Sequence, residues 1–397
     1  MSQDQVEQPT IPYGMHSIDE SDIRAVVGVL RSDWLTTGPR VEEFERVFAR
    51  TVGATEAVAL ANGTAALHAA MYAIGLGPGD EVILPPLTFV ASANAVVMQG
   101  GVPVFADVDA ATLLLDPDAV EAAITPRTKA ILAVDYAGQP CDYETLRQIA
   151  DRHGLVLVAD ACHALGASLK GSPVGSLADL TVFGFHPVKA ITTGEGGMVA
   201  TLSPDFARRI RLFRNHGITT DHHARARRHT WEYDMVDLGM NYRITDFQCA
   251  LGLSQLGKLP QWIRRRQALA QRYTVAWNTL PGIVPLAVRE GVEHAYHLYV
   301  VRLRANVLGV DRAHLFSHLR HAGIGVNVHY RPVHLQPYYR KTFGTGPGLC
   351  PVAEAAYEEI LSLPLYPSLE EETVDWIIAT LQAIVKAPTS LSVVGCS

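Results

Sequence analysis

The chain has 397 residues, 48% of them hydrophobic and 18% charged, with a formal net charge of −7. That balance describes a globular chain able to bury a large core in two or three lobes, and it excludes a nucleic-acid binder built around a basic face. It leaves small anionic substrates open, because a local cluster of cations outweighs net charge at short range.

A polar arm, 1–16, precedes a stretch from Ser17 to Leu30 with helical periodicity. From Glu56 onward, strands and helices alternate. EAVALA is followed by TAALHAAMYAIG, EVILP by TFVASANAVVMQG, and PVFADV by a helix near Asp116 to Ile124; KAILAVD then precedes YETLRQIADRHG, and LVLVAD follows. Apolar strands separated by amphipathic helices predict a mostly parallel sheet covered on both faces, in one large α/β domain over 17–256. Then PQWIRRRQALAQRYTVAWNTL reads as a long amphipathic helix and HAYHLYVVRLRA alternates like an exposed-edge strand. Helices are expected near Arg312 to Ala322, Pro351 to Ile360 and Leu369 to Val385. These elements predict a smaller C-terminal α+β domain, 257–388, with a tail over 389–397.

The cysteines at 141, 162, 249, 350 and 396 show no CxxC spacing, so neither a disulfide framework nor a zinc site is expected, and the expected compartment is the reducing cytoplasm. The polar start MSQDQVEQPT lacks a signal pattern, Cys396 is misplaced for prenylation, and no apolar run is long enough to span a bilayer. The segment GITTDHHARARRHTWEYD is rich in His and Arg without periodicity. It reads as a loop near an anionic substrate rather than as a metal site, since no carboxylate–histidine helix motif accompanies His222, His223 and His229.

In parallel α/β sheets, ligands sit at the carboxyl ends of the strands. After EAVALA come Gly63 and Thr64 opening a helix, where free N–H groups and the helix dipole suit a phosphate; Thr64 also reads as a plain N-cap. After EVILP comes Phe89, a core residue or a stacking ring. LVLVAD ends at Asp160, and a buried carboxylate must be paired or hydrogen-bonded. The run TVFGFHPVKAITTGEGGM places Lys189 between a strand and a glycine cluster. A lysine, a buried carboxylate and an anion site fit pyridoxal 5′-phosphate, which needs all three. A plain Lys–Asp ion pair explains neither the Gly63–Thr64 turn nor the glycines. No G-x-G-x-x-G follows the first strand, which disfavours a dinucleotide enzyme.

The motifs NGTAAL, TFVASANA, DACHALGA, FHPVKAITTGEGGM, GMNYRITDFQCALG and HYRPVHLQPYY resemble, in order and across nearly the whole chain, those of the DegT-like nucleotide-sugar aminotransferases, which have the fold-type I architecture of pyridoxal-phosphate enzymes. VDYAG, HALG and VKAITTGEGG most resemble the pseudaminic acid branch, which aminates C4 of a UDP-linked 4-keto-6-deoxy sugar. The resemblance implies that Lys189 carries the cofactor and shuttles protons, and that Asp160 holds the ring nitrogen protonated. It also implies that His163 meets the 3′-oxygen, that Phe89 stacks on the ring, and that Gly63 and Thr64 hold the phosphate. Asn241 would reach the phosphate of a neighbouring subunit, so a homodimer with shared sites is expected, and the helix beginning near Thr245, with Ala250 and Gly252, is a candidate to pack against the second chain. Arg243, His329, Tyr330 and Arg331 are candidates for the substrate, with the cationic ones on its diphosphate. Gly184 departs from a serine that many relatives place on the phosphate. Glutamate is the expected amino donor and a nucleotide-linked keto-sugar the acceptor. The alternatives are a dTDP-linked 3- or 4-keto sugar as substrate, or a sugar dehydratase, and retention of Lys189 favours transamination.

Overall fold

The computed structural model describes residues 11–220, 225 and 229–386. The strands in chain order are β1 Glu56–Leu60, β2 Glu81–Leu84, β3 Val102–Phe105, β4 Thr128–Val134, β5 Val156–Asp160, β6 Ser168–Leu169, β7 Ser172–Pro173, β8 Leu180–Gly184, β9 Gly197–Thr201, β10 Ile283–Pro285, β11 Val292–Glu293, β12 Tyr299–Leu303 and β13 Ile360–Leu363. Seven of them form one sheet in the order β1-β9-β8-β5-β4-β2-β3. Pairings from β3 through β8 are parallel, and β9 alone runs antiparallel to both neighbours, β8 and β1. The expected mostly parallel α/β sheet is therefore present, and its strands read as unbroken apolar runs because helices cover both faces.

Helix starts follow local chemistry. Asp19 caps Glu20–Leu30 in a reciprocal box with Asp22, and Thr245 does the same with Gln248 for Asp246–Leu256. The chain also forms a helix over Pro39–Thr51, absent from the sequence reading, which begins at Pro39 as its first residue. Its Phe44 and Phe48 meet Phe183 and Phe185 at ring-centroid distances of 5.1 to 5.5 Å. All four rings are buried, each contributing about 2 kcal/mol of apolar transfer, and they fix the floor of the loop that follows β8.

The second sheet is β10-β12-β13, antiparallel. β12 is its central strand, flanked on both sides and buried at Tyr299, Val300, Val301 and Leu303, so the exposed-edge expectation for HAYHLYVVRLRA is corrected. The apolar clusters do not divide at a single residue. Leu259 and Ile263 of the helix Leu259–Trp277 pack with the large sheet, and Leu269, Tyr273 and Trp277 pack with the small one. Gly252 also corrects an expectation: a Cβ there would lie 2.6 Å from Phe44, so the small residue serves packing within the chain. The arm that preceded the first helix is engaged from Ile11 on. Ile11 bridges to Ile324, and Tyr13 accepts the Leu365 N–H.

Candidate active site

The carboxyl ends of β1, β2, β4, β5 and β8 converge on a cavity of about 990 Å³. Its first wall is the turn after β1. Asn62, not Thr64, caps the helix Gly63–Ala73, its side chain accepting the Ala65 N–H at 2.8 Å. Thr64 is thereby left exposed in the cavity wall beside the free N–H groups of the first turn.

Asp160 closes β5, paired in register with Val134 and Val182. Its Oδ2 accepts from Ser92 Oγ at 2.6 Å, Ser92 Oγ lies 2.8 Å from Thr88 Oγ1, and Oδ1 accepts the Cys162 N–H at 3.2 Å. A buried carboxylate supported this way is fixed in direction. Ser92 went unassigned in the sequence although it lies inside the motif TFVASANA; its one signal is its place four residues after Thr88.

Lys189 stands in the tight loop after β8, where its N–H donates to His186 O at 2.8 Å and Thr193 N–H returns to Phe185 O at 3.1 Å. The glycines that follow have a steric reason. A Cβ on Gly197 would lie 2.3 Å from Asn62 O, so β9 can approach the phosphate-type turn of β1 this closely only as glycine, and Gly194 turns with φ +79°. Burial holds the Lys189 amine below its ordinary range, partly opposed by the nearby Cys162 and Asp160. Such an amine gives up its proton more readily than a solvated lysine.

His163 is buried, with Nε2 at 3.2 Å from the Tyr330 hydroxyl, and burial holds its ring well below the usual imidazole range, hence neutral. Phe89 is 57% exposed on the cavity wall with its ring 5.9 Å from Tyr330, which rules out the core role. His329 lines the cavity but is neutral: burial pushes it down to about 4, and its ring nitrogens meet Ser362 Oγ at 2.8 Å and Asn327 Nδ2 at 3.3 Å. The expectation of a cationic His329 on a diphosphate is corrected accordingly. Tyr330 lines the same wall as a phenol.

Three sequence candidates lie off this cavity. Arg243 donates to Asn215 Oδ1 at 2.9 Å, Asn241 is exposed beside it, and Arg331 donates to Leu335 O at 3.2 Å. Arg225 folds back on Thr220 O at 2.7 Å and over Tyr233, while His222, His223, Arg227 and Arg228 lie outside the described residues. Residues the sequence reading missed include Tyr13, whose ring is 5.3 Å from His329, and Tyr242 and Asn327, all in the wall. At Gly184, a Cβ would lie 3.3 Å from Cys162 Sγ, so a thiol stands beside the turn where a serine was the family expectation.

A fixed buried carboxylate, a depressed lysine amine, an exposed ring and a helix N-terminus facing one cavity fit pyridoxal phosphate. The comparisons agree. The sequence profile of the DegT/DnrJ/EryC1/StrS aminotransferase family matches residues 16–382. The spore coat polysaccharide biosynthesis protein SpsC of Bacillus subtilis (strain 168) is 42% identical over 378 residues, 95% of this chain and 97% of that protein. Spr1654 from Streptococcus pneumoniae, described as a sugar aminotransferase, superposes in its PMP form with TM-score 0.89 at 36% identity, covering 95% of this chain and 99% of that one. Its PLP form gives 0.88 at 35%, covering 96% and 100%. Helicobacter pylori PseC, an aminotransferase involved in the biosynthesis of pseudoaminic acid, gives 0.88 at 32%, covering 95% and 99%.

Proposed function

The chain belongs to the DegT/DnrJ/EryC1/StrS family and is a pyridoxal-phosphate-dependent sugar aminotransferase; from that premise we propose that it moves the amino group of glutamate to C4 of a UDP-linked 4-keto-6-deoxy-HexNAc, as a cytoplasmic homodimer. The observation that carries the reading is the convergence of the Lys189 amine, the Asp160 carboxylate and the exposed Phe89 ring on one cavity. The pathway in the name of PseC supports the sugar, and His163 on the wall matches the motif that first pointed there.

Pyridoxal phosphate, when bound, supplies an electron sink that stabilises negative charge at the substrate carbon. The remaining chemistry is the chain's own. Asp160, held by Ser92 and the Cys162 N–H, offers a fixed anion to a protonated ring nitrogen. Lys189 would anchor the cofactor through its amine, and that amine, when free, would take the proton from glutamate Cα on Nζ and hold it for return. Its depressed pKa raises the fraction of neutral amine for that task. His163 Nε2 would donate to the cofactor's 3′-oxygen, Phe89 would stack on its face, and Gly63 and Thr64 would hold its phosphate at the helix start. The cofactor would carry the amino group between the two substrates, so that glutamate would leave as 2-oxoglutarate and the same residues would act in reverse on the sugar ketone.

The dimer is supported by residues 231–238, where Trp231 is 86% and Leu238 68% exposed, and by the place of Asn241, exposed and off its own cavity.

The test is competition. The enzyme is supplied with glutamate and either the UDP-linked 4-keto-6-deoxy-HexNAc or a dTDP-linked 3- or 4-keto sugar, and products are assigned by mass and NMR. The reading expects faster amination of the UDP sugar at C4 with one 2-oxoglutarate per amine. Faster amination of a dTDP sugar, or loss of water from the sugar without 2-oxoglutarate, would overturn it.

A further inference from the structure

The cavity wall is chemically uneven. Around Lys189, Asp160 and the helix start it offers charge and free N–H groups, whereas Tyr13, His329 and Tyr330 form a stretch that carries no charge. His329 is neutral because burial pushes it down to about 4, and burial raises both phenols above their ordinary range. The Tyr13 ring stands 5.3 Å from that of His329, tilted by 53°, and its hydroxyl lies close enough to Tyr330 to act on it electrostatically. His329 is engaged with Ser362 and Asn327, and Tyr330 with His163. The Tyr13 hydroxyl has no hydrogen-bond partner among the described residues.

The arm that carries this ring is held in place around Ile324 and Leu365. Ile11 N–H donates to Gly323 O at 3.0 Å, Gly325 N–H to Ile11 O at 2.7 Å, and Leu365 N–H to Tyr13 O at 3.1 Å. A Cβ on Gly325 would lie 2.7 Å from Ile11 O, so the arm lies this close only over a glycine. On its other side, a Cβ on Gly14 would lie 3.6 Å from Val188, the neighbour of Lys189. Tyr13 is thus a fixed, half-buried aromatic ring with an unengaged hydroxyl, set into the uncharged part of the wall.

We propose that Tyr13 binds the sugar acceptor, packing its ring against an apolar face of the sugar and donating its hydroxyl to a sugar oxygen, and takes no part in binding glutamate. Charge separates the two substrates. Glutamate brings two carboxylates, which an uncharged wall would desolvate without offering a cation in return. A hexose ring is neutral, with C–H groups on its faces and oxygens at its rim, and a tyrosine offers a partner to each. A ring already fixed by its arm also loses little side-chain freedom on binding. This deepens the aminotransferase reading and rests on it for the nature of the acceptor.

The two halves of the reaction supply the test, because glutamate should remove the visible band of the cofactor-loaded enzyme and the keto-sugar should restore it. Tyr13→Phe keeps the ring and removes the donor. The concentration of UDP-linked 4-keto-6-deoxy-HexNAc that half-saturates the return of the band should rise about fivefold in Tyr13→Phe and about thirtyfold in Tyr13→Ala. Loss of the band to glutamate should stay within about twofold of wild type in both. Calorimetry adds a readout without turnover. UDP-N-acetylglucosamine, which has no ketone, should bind the loaded Tyr13→Ala enzyme about tenfold more weakly than wild type or worse, while UDP alone binds both equally. Equal half-saturation in wild type and Tyr13→Ala, equal slowing of both halves, or a parallel loss of UDP affinity would overturn the assignment and leave the aminotransferase reading standing. A wild-type band that ignores glutamate or that keto-sugar would overturn both.

Discussion

The floor beneath Lys189 and the segment 231–241 meet water in opposite ways. On the floor, Asp160, Ser92 and Thr88 form one chain of hydrogen bonds, Phe183 and Phe185 are sealed by Phe44 and Phe48, and Gly197 lets β9 approach the turn that ends β1. In the segment, Trp231, Tyr233, Met235, Val236 and Leu238 are all more than half exposed, and Asn241 presents its side chain where its own cavity does not reach. The first region is closed within the chain, and the second is open to water. Contiguous exposed apolar residues of this kind mark an interface. The contrast is between a floor that one chain closes by itself and a segment that the proposed dimer would cover.

Substitutions on the floor should be the most costly. Lys189→Ala should lower 2-oxoglutarate release by about a thousandfold or more while the thermal midpoint stays near wild type, since one partly buried lysine contributes little packing. Asp160→Asn should keep the cofactor yet slow turnover by about a hundredfold to a thousandfold, because an amide cannot balance a protonated ring nitrogen; steady-state rates decide this. Near-normal turnover in either variant would dissolve the contrast between the regions.

The assembly comes next. Asn241→Ala should weaken cofactor retention in both sites of a dimer. Co-expressing Asn241→Ala with Lys189→Ala chains should restore activity toward half the wild-type value per heterodimer, since one of its two sites then carries both defects and the other neither. Activity no higher than that of the parents in purified heterodimers would place Asn241 outside the site.

Smaller effects refine the floor. Ser92→Ala removes one hydrogen bond to the Asp160 carboxylate, worth about 1.5 kcal/mol, and should cost about tenfold in kcat with the fold intact. Asp135 is the last. It closes the neighbouring strand end, its Oδ1 held by the Cys141 N–H and Tyr143 hydroxyl, its Oδ2 without a partner, and burial raises its pKa from 3.8 to about 7. A raised folded pKa means that the protonated acid's stabilisation is full below pH 3.8 and is lost as pH climbs to about 7, by up to about 1.4 kcal/mol per unit. Asp135→Asn lacks that loss, so its thermal midpoint should gain on wild type across this window and run parallel above it. A pH-independent difference would show that the Asp135 pKa is not raised in the fold.

Much of the floor was legible in the sequence because strand ends, glycines and charge in an apolar run are local signals. Asp160, Lys189 and Gly63 could be placed from what precedes and follows them, whereas Phe89 stayed open between core and stacking until the family resemblance gave it the ring. Tyr13, Tyr242 and Asn327 could not, since they reach the cavity through long-range packing that leaves no period in the chain. The helix Pro39–Thr51 escaped notice although its buried residues recur at helical spacing, and β12 was misjudged because alternation in YVVRL reports a polar Arg302 held by Glu359, not an open edge. His329 shows the limit of residue type as a guide. Histidine reads as a cation for phosphate, but burial makes this one neutral.

The central claim, that Lys189 and Asp160 operate a cofactor cycling between an amino acid and a keto-sugar, is tested most directly by absorbance. The loaded enzyme should show a visible band that disappears on adding glutamate and returns on adding the nucleotide-linked keto-sugar, with neither change in Lys189→Ala. A band indifferent to glutamate, or one that the keto-sugar does not restore, would contradict the account.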